Sequence, residues 1–449
     1  MAKREKFGLF GAIMAMAGSA VGLGNLWRFP YLLGEYGGAA FLVLYMVFAL
    51  VIALPIFFAE FIIGRRGGAN CRGSYKNLSG PKSLWRHSGL WNVLTCLVIF
   101  SFYSVIGGWC IEYFFKACLF DFSSTMSRED LANVFSSFVS SVWPPLFGFA
   151  FFVILTSIIV GRGVTRGIER FGKVAMPTLC LVIILIAVYC AFLPGAEQGY
   201  VYMFKPDISK ITPDVCLAAL GQSFFSLSLG CGCIITYASY VQKNQDMVFH
   251  SVSTTIIDIV IAIFAGCAIM PAVFAFGVDP ASGPSLVYET LPYIFSRMPM
   301  GNAVAIVFFG ALLFATLTSS VSMAEVGVSF LTEEFNIKRR KAIWIMISII
   351  SVVGVLCSLS FGPLSHFKIL GNNLFDFLDT MSSNVMMTLG ALLTVLFVGW
   401  KMKKEDVYDE FTSGGSIVRN VRIFKVVYFL IRYIAPSAII VIMLAGLIL

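Results

Sequence analysis

Residues 15–30 read AMAGSAVGLGNLWRFP, an apolar run broken by Gly18, Gly22 and Gly24 and followed by Pro30. Glycine inside a helix costs about 1 kcal/mol relative to alanine. Such a cluster predicts a helix that loosens halfway. The surrounding run is long enough to cross a bilayer, which takes about 20 mostly apolar residues. A helix unwound at membrane depth frees backbone groups, and in hydrocarbon these must face protein or a ligand. Freed carbonyls suit a hard cation, and the N-terminus of a half-helix suits an anionic group. The bland alternative is that the glycines only let helices pack closely.

A second stretch has the same character. Residues 221–240, GQSFFSLSLGCGCIITYASY, set Gly230 and Gly232 in the middle of an apolar segment. Candidate spans run over about 8–33, 38–64, 88–118, 144–162, 172–193, 213–240, 252–278, 300–332, 341–361, 374–400 and 423–448. The segment 283–296 is too short to cross and is expected as a helix in an outer loop. The interrupted spans are the first and the sixth, the opening members of two five-span halves, 8–193 and 213–400. Interrupted segments at matching places in two halves point to a transporter site at the repeat interface. The expected fold is an all-α membrane protein. It would have about eleven transmembrane helices, two inverted five-helix repeats with helices 1 and 6 unwound, and an additional helix at 423–448, all in one domain over 1–449.

Composition agrees. The chain has 449 residues, 58% hydrophobic and 12% charged, with net charge +8 and mean hydropathy +0.88. About 25% charged residues is usual for a soluble domain, so a water-soluble globule is excluded. High hydrophobicity excludes disorder. Most of the eleven cysteines lie in apolar runs, and with three histidines no zinc-type spacing occurs; cysteine here reads as a packing residue. The apolar run after Lys3–Lys6 outlasts a signal-peptide core, so no cleaved leader is expected.

Orientation follows from the loops. Connector 65–87 holds Arg65, Arg66, Arg72, Lys76, Lys82 and Arg86 without an acid, and 162–173, 338–341 and 401–425 are also basic. Connector 119–143 holds Asp121, Glu129 and Asp130 against Arg128 alone. The positive-inside rule then sets the N-terminus in the cytoplasm and, with an odd number of spans, the C-terminus outside the plasma (inner) membrane. The positive charge is a topology signal; no basic-aromatic stripe suggests nucleic acid.

The chain resembles the neurotransmitter:sodium symporter family, especially its eleven-span bacterial amino-acid transporters, similar to those for leucine and for tyrosine and tryptophan. The likeness runs over nearly the whole length. It is densest in residues 15–41, in AEFIIGR (59–65), GIERFGKVAMPTL (167–179), FFSLSLGCGCIITYASYVQKNQD (224–246) and LFATLTSSVSM (313–323). Interrupted helices are a hallmark of that family, so this likeness and the glycine reading overlap. The resemblance implies coupling of sodium to the import of an amino acid or related amine.

By resemblance, one sodium site uses the carbonyls of Gly18, Val21 and Ala315 with the hydroxyls of Thr318 and Ser319. Back-bonding to their own helix is the other role open to those hydroxyls. The first site would use Ala20, Asn25 and Ser226, with the substrate carboxylate as a shared ligand. Most members carry an asparagine on span seven there; this chain offers Asp258. A buried aspartate costs several kcal/mol in a membrane, and its own span supplies no basic partner. Animal relatives need chloride near a tyrosine, a glutamine and two hydroxyls. Tyr45, Gln222 and Ser226 match three, and Ala262 stands for the fourth. Where chloride is not required a carboxylate supplies the charge, so chloride-independent transport is expected, with proton antiport on the return step as an extension.

The substrate site implied by the resemblance takes the carboxylate at sodium, the amides near Gly22 and Gly24, and the Tyr103 hydroxyl. Carbonyls around Ala20, Phe225 and Ser226, with the Ser228 hydroxyl, would receive the amine. Amine transporters of the family carry an aspartate where Gly22 stands, which argues for an amino-acid substrate. Ile99, Phe225, Cys231, Ser319 and Met323 would line a pocket without charge, and the small Cys231 leaves room for a hydrophobic or aromatic side chain. Arg28 would form an outer gate with Asp376 or Asp379, above an aromatic lid of Tyr103 and Phe225. Arg4 and Glu333 resemble the inner gate pair, although Phe7 replaces the usual tryptophan there and a solvated charge cluster is the other reading. Glu60 would satisfy donors freed by the broken helices. An ion channel would need a filter such as TVGYG, and a membrane enzyme would need HExxH or GxSxG; neither is present. A sodium-dependent amino-acid sensor without transport stays open.

Overall fold

The computed structural model describes residues 5–281, 286–417 and 421–448. Among these, nine helices are long and apolar enough to cross a membrane. They are Ala39–Gly67, Arg86–Cys118, Trp143–Gly161, Val164–Ala191, Met247–Ala275, Gly301–Glu334, Arg339–Leu359, Leu374–Lys401 and Val421–Leu444. A tenth span is the pair Leu9–Ala20 and Gly24–Glu35, bent by 48° at its break. Helices Pro213–Ser226 and Cys233–Ala238 flank a non-helical stretch, which makes the second interrupted segment and the sixth of eleven in chain order. The spans are numbered 1–11 accordingly. One isolated bridge, Ile369 to Asn372, is the β-structure among the described residues.

Span 1 breaks because its side chains offer the backbone other partners. In an unbroken helix the amides of Gly22 and Leu23 would bond the carbonyls of Gly18 and Ser19. They go instead to Asn25 Oδ1 at 3.4 Å and to the Tyr103 hydroxyl at 3.4 Å. Span 6 ends its first half in a Schellman motif. The Leu229 amide reaches the Phe224 carbonyl at 3.2 Å and that of Ser228 reaches Phe225 at 3.1 Å, with Ser228 left-handed at φ 52°. Gly230 (φ 81°) and Gly232 (φ 79°) add two more positive-φ positions before the second half starts. A Cβ on Gly230 would lie 1.9 Å from the Met387 carbonyl oxygen, so only glycine fits there. Glu60, fully buried, accepts the Gly230 amide at 2.6 Å, as expected of it.

Two span boundaries move. Span 5 begins at Val164, not 172, so Arg166, Arg170 and Lys173 stand on its first turns and not in a connector. Long basic side chains snorkel toward water, which hides a helix start from a hydropathy reading. Span 7 starts at Met247, five residues before its expected start, because Asp246 caps it, accepting the Val248 and Phe249 amides at 2.9 and 3.2 Å. The connectors also hold short helices: Cys71–Ser79, Arg128–Ser140, Ala196–Phe204 and Lys404–Phe411. The expected outer-loop helix is Thr290–Arg297; residues 282–285 at its approach lie outside the described residues.

Candidate functional site

The two breaks meet at mid-bundle around a small cavity of about 40 Å³. Of the eleven expected substrate residues, Ala20, Gly22, Gly24, Ile99, Tyr103, Phe225, Ser228, Cys231, Ser319 and Met323 line it. Ser226 does not; it turns to Asp258 behind the wall. A Cβ on Gly22 would stand 2.4 Å from Ser319 Oγ and 2.9 Å from the Tyr103 hydroxyl, so an aspartate at that position would fill this corner. Ser228 Oγ donates to the Ser19 carbonyl at 2.9 Å. Ser19, Leu23 and Met387 also line the cavity. Met387 escapes a sequence reading because it opens the apolar stretch of span 10 and nothing in its spacing sets it apart; in the structure it directly follows a wide π-type turn, Ser382–Met386.

Asp258, 1% exposed, collects donors from three helices. Asn25 Nδ2 donates to its Oδ1 at 2.8 Å and to its carbonyl at 3.1 Å. Ser226 Oγ lies 2.8 Å from both carboxylate oxygens, and the Tyr45 hydroxyl donates to Oδ2 at 3.0 Å. No ion pair reaches this carboxylate among the described residues. An acidic group buried without a cation partner is costly, and a bound cation is one way to relieve that cost. Gln222 Nε2 donates to the Gly24 carbonyl at 2.7 Å, leaving its Oε1 without a partner among the described residues. Ala262, fully buried, follows Asp258 by one helical turn.

A second oxygen cluster lies where span 1 ends its first half against span 8. Ser319 Oγ donates to the carbonyls of Gly18 and Ser19, both at 3.3 Å. Thr318 Oγ1 donates to the Ala315 carbonyl at 2.9 Å, the back-bonding arrangement, yet each hydroxyl keeps lone pairs to offer. A Cβ on Gly18 would meet Thr318 Cβ at 3.1 Å, so the two segments touch. Val21 turns extended (φ −76°, ψ 101°) and ends the helix there. The cluster is uncharged and oxygen-rich, which suits a monovalent hard cation.

The gate residues separate. Arg28 makes no ion pair with Asp376 or Asp379; its guanidinium lies over the Phe225 ring, 4.6 Å from the centroid. Asp376 is held at its helix start by Asn373 Nδ2 at 2.7 Å, and Asp379 accepts the Ser383 hydroxyl at 3.4 Å. The rings of Phe225 and Tyr103 both line the cavity without stacking on each other. At the opposite end Glu333 accepts the Asn70 amide at 2.7 Å and Asn70 Nδ2 at 3.1 Å; Arg4 lies outside the described residues. That end is tightly tied. The Phe7 amide donates to the Tyr240 carbonyl at 2.9 Å, its ring meets Tyr237 and Tyr240 edge-on, and Lys6 Nζ donates to the Ser239 carbonyl at 2.8 Å. Glu325, given no role by the sequence, bonds Arg339 and accepts the Tyr240 hydroxyl at 2.7 Å.

Comparison with known proteins accounts for this architecture. The model of the Sodium:neurotransmitter symporter family matches residues 4–135 and 135–449. The uncharacterized sodium-dependent transporter YhdH of Bacillus subtilis (strain 168) is 38% identical over 434 residues, 97% of this chain and 95% of that protein. An uncharacterized sodium-dependent transporter of Haemophilus influenzae (strain ATCC 51907 / DSM 11121 / KW20 / Rd) is 35% identical over 97% of this chain and 96% of its own length. The crystal structure of MhsT in complex with L-phenylalanine superposes with a TM-score of 0.91 at 41% identity, covering 99% of this chain and 100% of that one. The chain is therefore a multi-pass membrane transporter, not an enzyme, and belongs to the Sodium:neurotransmitter symporter family.

Proposed function

We propose that this sodium symporter imports a hydrophobic or aromatic L-amino acid by alternating access, using two sodium sites and no chloride. The observation that carries the reading is Asp258: a buried carboxylate, held by Asn25, Ser226 and Tyr45, one wall away from an uncharged cavity. Sodium at the first site would meet Asp258, Asn25, the Ala20 carbonyl and Ser226. The second ion would take Gly18, Val21, Ala315, Thr318 and Ser319. A substrate carboxylate fits the corner left open by Gly22, beside Tyr103, and its side chain would lie against Ile99, Phe225, Cys231 and Met323. The L-phenylalanine bound by MhsT supports this substrate class.

Chloride independence rests on the same carboxylate. Two of the three residues matching a chloride site, Tyr45 and Ser226, already donate to Asp258, which supplies a fixed negative charge. Arg28 with Asp379 forms the outer gate in this reading, and Arg4 with Glu333 the inner one. The tied end carrying Phe7 and the basic loops faces the cytoplasm, and the C-terminus lies outside. Coupling is reciprocal: sodium favours the substrate-binding state, and substrate raises sodium affinity by the same factor.

The test is uptake of radiolabelled amino acids into vesicles holding the purified protein. Uptake of phenylalanine, tryptophan or leucine is expected with external sodium and not with choline. It should be unchanged when gluconate replaces chloride. Competition only by glycine or alanine, or loss of uptake in gluconate, would overturn the corresponding part.

A further inference from the structure

Spans 4 and 9 are among the spans least buried by protein, with 33% and 39% of their most apolar stretches covered. Between them runs a groove of about 520 Å³, open to the lipid side. Its walls are apolar: Phe149, Ile154 and Ile158 from span 4 face Ile343, Trp344 and Ile347 from span 9. It extends from Phe149 to Gly161 along one helix and from Arg340 to Ser351 along the other. At 1.5 Å per residue these stretches are about 17–18 Å long, close to the roughly 15 Å hydrocarbon depth of one leaflet.

The basic end of this groove is charged. Arg340 stands in its lining. Gly161, at the end of span 4, is followed directly by Arg162, which opens a second pocket with Arg166, Arg170 and Lys173. Arg339 Nε donates to the Val160 carbonyl at 2.9 Å, so the two helices are pinned together where these charges gather. Lys173 is paired with Glu169 at 2.7 Å. Arg162, Arg166, Arg170 and Arg340 have no ion pair among the described residues. Arg340 thus stands in one end of a leaflet-deep apolar trough, with Arg162 directly after its last residue, Gly161, and Arg166 and Arg170 in the pocket that Arg162 shares.

We infer that this groove binds one anionic phospholipid, its acyl chain between spans 4 and 9 and its phosphate between Arg340 and Arg162. The excess positive charge selects a headgroup of net negative charge over a zwitterionic one, and guanidinium pairs its phosphate bidentately. The trough selects a lipid over a free phosphate, since it is apolar and has the depth of one leaflet. Basic residues next to a bilayer hold anionic lipid by several-fold each.

Native mass spectrometry of the detergent-purified full chain, given equal phosphatidylglycerol and phosphatidylcholine of matched acyl chains, tests this. Phosphatidylglycerol should be retained at least tenfold over phosphatidylcholine. Arg162→Gln or Arg340→Gln should each cut that preference about fivefold. Ser157→Trp, which fills the groove, should lower retention of both lipids, and millimolar inorganic phosphate should displace neither. Unchanged melting temperature in the variants shows that they fold. Equal retention of the two lipids by the unmodified protein would overturn the proposal. So would displacement by inorganic phosphate with no effect of Ser157→Trp, which assigns the charges to a free anion. A dimer that Ser157→Trp dissociates, with no lipid retained, would show that a second copy covers the groove and would likewise overturn it.

Discussion

Asn25 Nδ2 stands 2.8 Å from Asp258 Oδ1 and thereby joins the interrupted part of span 1 to the middle of span 7, 233 residues away. The same amide's oxygen receives the Gly22 amide. One side chain therefore holds the break open with one end and the carboxylate with the other. A change in the charge at Asp258 is felt where the substrate carboxylate would bind.

The first prediction concerns that charge. Asp258→Asn keeps the shape and an acceptor oxygen for Asn25 but removes the negative charge. Interactions of a charged group are worth about 1.5–3 kcal/mol, so sodium affinity should weaken about tenfold to a hundredfold. Sodium titration of substrate binding in the purified variant reads this directly. Unchanged sodium affinity would make Asp258 a structural hub and no more.

A second prediction separates the two sodium sites. Thr318→Val together with Ser319→Ala removes both hydroxyls near Gly18 and leaves the Asp258 cluster intact. Radioactive sodium bound per protein at saturating substrate should fall from two to one. A count that stays at two would remove this cluster from the mechanism.

Pocket size can be tested at Cys231, which lines the cavity and hydrogen-bonds only weakly through its thiol to the Ser228 carbonyl at 3.1 Å. Cys231→Phe should weaken competition by tryptophan more than tenfold while leaving leucine within a few-fold. An equal loss for both would show that the side chain points to disruption of the break and not to selectivity.

The fourth prediction is about stability. Gly230→Ala forces a Cβ into left-handed backbone and against the Met387 carbonyl; such strain costs about 1–3 kcal/mol before the clash is counted. Glu60→Gln keeps the shape and an acceptor oxygen for the Gly230 amide, so it should cost no more than about 1 kcal/mol. Melting in detergent should therefore fall clearly for Gly230→Ala and modestly for Glu60→Gln. The reverse order would show that burying the Glu60 carboxylate, not the left-handed turn, dominates the break.

Much of the bundle is legible in the amino-acid sequence, because a span is a local property. Apolar length sets most of the eleven segments to within a few residues, and glycine clustering marks both breaks. The misjudged start of span 5 has the opposite cause: Arg166, Arg170 and Lys173 look like a loop one by one, and only the helix lets their stems lie along apolar surface. Met387 is hidden for a related reason, since nothing distinguishes it from other apolar residues of span 10 until that span crosses Gly230.

By itself the sequence determined that this chain lives in a membrane, where its helices fail, and that Asp258 is a charge in an unusual position. Those are matters of composition and spacing, which need no partner. Tertiary structure alone decided which groups answer the failures: Tyr103 for the Leu23 amide, Glu60 for Gly230, and Asn25, Ser226 and Tyr45 for Asp258. It also decided that Arg28 rests on Phe225 without pairing to an aspartate. Each of these contacts joins segments far apart in the chain, and their meeting depends on how the whole bundle packs.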